Sequence, residues 1–103
     1  MNKDNRWTRF ASQVSFKGMT VNNRAVLNYV AHHHHSTGCV LSFRQIGSYV
    51  GITKQSARRN IRVMESFGVI KSRNQYGGGY KDTLPLIFKI NLDWKESNDD
   101  THI

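Results

Sequence analysis

The sequence predicts a small α+β domain: three core helices followed by a C-terminal β-hairpin, with an N-terminal extension ahead of them. Three observations carry this expectation. Two segments with apolar residues at helical spacing lie head to tail across Gly51, and each opens with a hydroxyl residue suited to cap it. Leu86, Phe88, Ile90 and Leu92, alternating with Ile87, Lys89 and Asn91 within 84–92, mark a half-buried strand. The length, 103 residues, suits one domain with a single modest core.

Taken in order, Trp7, Phe10 and Val14 fall at i, i+3 and i+7, so 5–14 reads as a short amphipathic helix inside an extension covering 1–19. Thr20 caps a second helix running to about His34, with Val26, Leu27, Val30 and Ala31 as its apolar stripe. Cys39, Val40 and Leu41 are long enough only for a small strand. Ser42 and Gln45 have the spacing of a capping box, with Leu41 and Ile46 as the hydrophobic staple. The helix they open turns Phe43, Ile46 and Val50 inward and ends at Gly51. Thr53 caps the next helix, which runs to Phe67 with Ala57, Ile61 and Met64 facing the core. After Gly68, 69–73 reads as a strand, Gly77-Gly78-Gly79 as a hairpin tip, and 84–92 as the return strand, with Pro85 at an edge or a strand start. The domain is expected over 20–92, and an acidic, frayed tail over 93–103.

Helix, short strand, helix, helix, strand, strand is the order of a winged helix-turn-helix. The run IGSYVGITKQSARRNIRVMESFGVI at 46–70 also resembles the winged-helix domains of phage and plasmid replication and regulatory proteins. Their pattern is aliphatic-Ala-x-x-x-Gly-aliphatic-Ser-x-x-Thr-apolar, then an Arg, a Leu and a closing Gly-aliphatic-Ile. The likeness covers roughly 21–92, most of the chain. Departures are Gly47 for Ala, Thr53 for Ser, Ser56 for Thr and Ala57 for a larger apolar residue. The resemblance implies the fold more specifically than the biological role.

Charge points to the partner. The formal net charge is +8, and between residues 5 and 92 thirteen Lys and Arg stand against only Glu65 and Asp82. Self-repulsion on this scale suits a polyanion. With Ala57, Ile61 and Met64 inward, the opposite face of the second helix of the pair holds Lys54, Gln55, Arg58, Arg59 and Arg62. Arg chelates guanine and Gln chelates adenine in the major groove, so Gln55 and Arg58 are the expected base readers, with Lys54 and Arg59 reading or gripping. Thr53 and Ser56 suit phosphate oxygens at that helix start, and Ser42 and Arg44 of the preceding helix suit the DNA backbone. Arg73, Gln75, Tyr76 and Lys81, flanking the three glycines, are the expected wing contacts.

The chemistry of an enzyme is not expected. There is no nucleophile elbow, no P-loop continuation after the triple glycine and no paired carboxylate. His32–His35 lack nearby Asp or Glu for a closed metal site and are expected to be structural or solvated, and no cofactor or small-molecule ligand is evident. Cys39, the one cysteine, fits a reducing cytosol and a core position. No apolar run approaches a membrane span or a signal peptide. The expected function is sequence-specific binding of double-stranded DNA as a transcriptional regulator of a phage, plasmid or other mobile element, cytoplasmic and nucleoid-associated. The alternatives are an origin-binding replication protein and a protein-interaction winged helix. A homodimer is expected, joined through Trp7, Phe10 and Val14, because one half-site gives little specificity.

Overall fold

Capping residues and apolar stripes divide the chain into the elements of the computed structural model, which describes residues 6–74 and 85–95. In order they are α1 (Arg6–Gln13), α2 (Val21–His32), β1 (Cys39–Leu41), α3 (Phe43–Val50), α4 (Lys54–Ser66), β2 (Ile70–Asn74) and β3 (Leu86–Ile90). Among the described residues this is a small α+β domain of four helices and one three-stranded antiparallel sheet.

The strand order is β1-β3-β2, so β3 is central. Cys39 pairs with Phe88 and Leu41 with Leu86 on one side of it, and Ile70 pairs with Ile90 and Ser72 with Phe88 on the other. Leu86, Phe88 and Ile90 are buried under the helices while Lys89 is exposed, as the two-residue period of a strand requires. Pro85 immediately precedes this central strand, so it marks a strand start and not an edge, which spares the ladder a missing donor.

The core draws on all seven elements, and this redraws two expected boundaries. Trp7, Ala11, Val14 and Phe16 are buried in the same cluster as Val26, Ile46, Ile61 and Phe88, and Phe10 is half-buried against it. The segment 1–19 is therefore no separate extension over its described part. Arg24 of α2 ties it down: its guanidinium donates to the Ala11 carbonyl at 2.9 Å and the Val14 carbonyl at 2.6 Å, closing the C-terminal carbonyls of α1. Trp7 and Val14, expected to join two copies, are 8% and 3% exposed within one chain. Their apolar surface is already removed from water, so they offer no dimer face.

At the other end, Asp93 and Trp94 do not fray. The Trp94 indole N–H donates to the Phe67 carbonyl at 2.6 Å, and its ring meets Phe16 edge-on, while Phe16 stacks on Phe67 with centroids 4.3 Å apart. Residues 96–103 lie outside the described residues.

Candidate nucleic-acid interface

The interface is built by the way α3 and α4 are joined and rotated. Ser42 opens α3 with both arms of a capping box: its hydroxyl accepts from the Gln45 amide at 3.0 Å, and its own amide donates to Gln45 Oε1 at 2.8 Å. α3 stops at Gly51, whose φ of 90° is the left-handed conformation that glycine adopts without strain. The amides of Gly51 and Ile52 both donate to the Gly47 carbonyl, at 2.8 and 2.9 Å. Gly47 itself sits under the turn, where a Cβ would lie 2.7 Å from the Ile52 carbonyl oxygen. This explains the departure from Ala in the resembling pattern: the turn approaches α3 too closely for a methyl group. Thr53 then caps α4, accepting from the Ser56 amide at 3.0 Å.

The rotation of α4 about its own axis decides which side chains face outward. Ala57, Asn60, Ile61 and Met64 are buried. Asn60 was not expected among them. Its Oδ1 accepts from Asn23 Nδ2 of α2 at 2.6 Å, and its Nδ2 donates to the Ser56 carbonyl at 2.8 Å. Asn23 in turn shares a capping box with Thr20. A continuous polar link thus runs from the start of α2 into α4 and fixes its register. The signal was present in the sequence: Asn60 lies beside Ile61 on the apolar stripe, where a polar residue needs a buried partner.

With that stripe inward, Gln55, Arg59 and Arg62 are exposed on the far face, and Lys54 and Arg58 lie half-buried along one flank. These five form a contiguous polar and basic strip. Glu65 enters its edge, 3.9 Å from Arg62 Nε, and its carboxylate also accepts from the Ser72 hydroxyl of β2. The exposed ion pair is worth under about 1 kcal/mol, so it tempers the charge of the strip without cancelling it. Arg44 is exposed in the first turn of α3.

Several expected contacts stand elsewhere. Ser42 is 8% exposed, its hydroxyl oxygen accepting and its amide donating in the cap, so it is a buried capping residue with little surface to offer a phosphate. The Thr53 hydroxyl oxygen and the Ser56 amide are likewise engaged with each other. In β2, Ser72 turns toward α4 through Glu65, so the neighbouring Lys71 and Arg73, both exposed, project from the opposite face of the sheet. Arg73 therefore does not share a surface with the α4 strip. Gln75, Tyr76, Lys81 and the three glycines lie outside the described residues.

The four consecutive histidines diverge. His34 alone is buried: its Nε2 accepts from the Ile90 amide at 3.1 Å, and its ring lies 4.5 Å from that of Trp7. Burial holds its pKa below the ordinary value, aided by the charges of His35 and Lys89, while the nearby His35 backbone offsets part of the shift. His33 packs edge-on to Tyr29. No three His, Cys, Asp or Glu converge among the described residues. Cys39 is buried, with its thiol pushed up to about 11 by desolvation. No helix among the described residues is long and apolar enough to cross a membrane.

Comparison with known protein families, with curated proteins and with solved structures finds no match for this chain.

Proposed function

We propose that this protein is a winged helix-turn-helix protein that binds double-stranded DNA sequence-specifically, acting as a transcriptional regulator of a mobile genetic element in the bacterial cytoplasm. The observation that carries the reading is the rotation of α4: with Ala57, Asn60, Ile61 and Met64 turned inward, Gln55, Arg59 and Arg62 face outward and Lys54 and Arg58 flank them, half-buried, in one basic strip. The strand order β1-β3-β2, with α3 and α4 between β1 and β2, supports the same architecture. In the major groove, Gln55 and Arg58 stand on the first two turns of α4, the part of such a helix that reaches base edges. Arg59, Arg62 and Arg44 are assigned to phosphates. Two-fold pairing on a palindromic site has to use a surface other than Trp7 and Val14, which the core has taken.

The test is a gel-shift titration against genomic fragments, with the bound pool sequenced. An enriched site at promoters supports the regulator, and iterated repeats at an origin assign the same surface to replication. Gln55→Ala and Arg58→Ala are expected to relax preference at particular base pairs, by about 1–3 kcal/mol each. Arg44→Ala should weaken all sequences equally. Absence of any shift at low salt refutes DNA binding and leaves a protein-docking module.

A further inference from the structure

Charge is spread unevenly along α4. Lys54, Arg58, Arg59 and Arg62 occupy the helix from its start to Arg62, whereas its last turn holds Glu65 and no cation. Among the described residues between 6 and 92, Glu65 is the one carboxylate. An anion in the last turn opposes the helix macrodipole, whose C-terminal end is itself negative. The exposed pair it makes with Arg62 returns little. The local stability of α4 therefore gives no reason for an acid at this position.

The carboxylate is also held in place. Its Oε2 accepts from the Ser72 hydroxyl of β2, and its Oε1 lies 3.9 Å from Arg62 Nε. The Glu65 side chain is 25% exposed, against 54% for Arg62, so it is tied to the sheet where a free surface acid would swing clear. A glutamine would accept the same hydrogen bond from Ser72 without opposing the dipole. What that bond leaves unaccounted for is the charge, fixed at the C-terminal edge of the basic strip.

We propose that Glu65 is a specificity-determining residue of the α4 surface: a fixed negative charge that keeps the phosphate backbone off the C-terminal end of the helix. The inference rests on the reading of α4 as a DNA-binding helix and says how that helix enters the groove. A helix basic along its whole length would lie against the phosphates of any sequence, the contact that supplies non-specific binding. α4 cannot lie flat in that way without pressing a tethered carboxylate onto a phosphate, and like charges brought together are costly. Entry by the N-terminal turns avoids the clash. Glu65 then stands roughly 10 Å beyond Arg58 along the helix axis, outside a Debye length of about 8 Å from the base-reading turns. Arg62, the cation nearest Glu65, is the last residue of the footprint.

Glu65→Gln in the full chain tests this, since it removes the charge and keeps an oxygen to accept from Ser72. Fluorescence anisotropy over a salt series compares two duplexes of equal length, one carrying the site selected from genomic fragments and one of shuffled sequence. Affinity for the shuffled duplex is expected to rise about tenfold, while the selected site gains no more than about twofold. The log-log salt slope on the shuffled duplex should steepen by about one, as one more phosphate comes within reach. A purely structural role for Glu65 moves neither the slope nor the ratio of the two affinities. Ser72→Ala, which keeps the charge but releases it from β2, should raise shuffled binding part of the way. Equal rises on both duplexes, or no rise on the shuffled one, overturn the proposal and leave DNA binding standing. A wild-type chain that binds neither duplex at low salt overturns the DNA-binding reading itself, and the role of Glu65 with it.

Discussion

Asn60→Ala is the sharpest test of how α4 is held. The substitution removes the acceptor for Asn23 Nδ2 and the donor to the Ser56 carbonyl, at a position 9% exposed against a partner 4% exposed. Leaving the Asn23 donor buried and unpaired costs about 1–3 kcal/mol. Alanine recovers roughly 0.5–0.7 kcal/mol of helix propensity in the middle of α4, so the desolvation cost wins and a net loss of about 1–2 kcal/mol is expected. Asn23→Ala should cost more, because it also takes away the acceptor for the Thr20 amide in the α2 capping box, worth about 1 kcal/mol in its own right. The double variant removes donor and acceptor together, and its loss should fall short of the sum by about 1 kcal/mol or more. Urea denaturation followed through Trp7 and Trp94 fluorescence reads these values, provided the slope with denaturant is unchanged. Single losses below about 0.5 kcal/mol that add within error would refute the buried link as the element that sets the register of α4.

Three further outcomes are expected. Gly47→Ala should destabilise, because the new Cβ meets the Ile52 and Thr53 carbonyl oxygens at 2.7 and 3.1 Å; overpacking of about 1–3 kcal/mol exceeds the ~1 kcal/mol of helix propensity gained. A thermal melt showing a stabilised variant would contradict that close approach. Trp7→Ala should cost about 3–5 kcal/mol at every protein concentration, since the ring is buried within one chain; a loss that scales with concentration would restore it to an interface between copies. His34 has a depressed folded pKa, so it contributes stability in full above its unfolded value of about 6.5 and loses it as the pH falls below that value. The denaturation midpoint should therefore drop between pH 7.5 and pH 5, and by less in His34→Gln; parallel pH profiles for the two proteins would show that another group is responsible.

Local chemistry, legible in the sequence by itself, determines most of the helical framework. Ser42 with Gln45, Gly51 and Thr53 are caps and stops whose effect is confined to one turn, and α3 begins and ends, and α4 begins, where those residues dictate. The stripes Val26-Leu27-Val30-Ala31 and Ala57-Ile61-Met64 likewise name their buried faces, because period alone sets which side chains align. The identity of the basic residues on α4 follows from the same period.

What the tertiary structure decided are the partners that lie far apart in sequence. Asn23 meets Asn60 across 37 residues, His34 meets Ile90 across 56, and Trp94 closes over Phe67 and Phe16. No periodicity encodes such pairs, since each exists only once two elements have packed. The same holds for Trp7, Phe10 and Val14: an amphipathic stripe states that a face must be covered but not by what, and here the protomer's own core covers it. Arg73 shows the converse. Its charge was legible, but the face of the sheet it occupies was settled only when Ser72 found Glu65, since a strand's two sides are assigned by what packs against one of them.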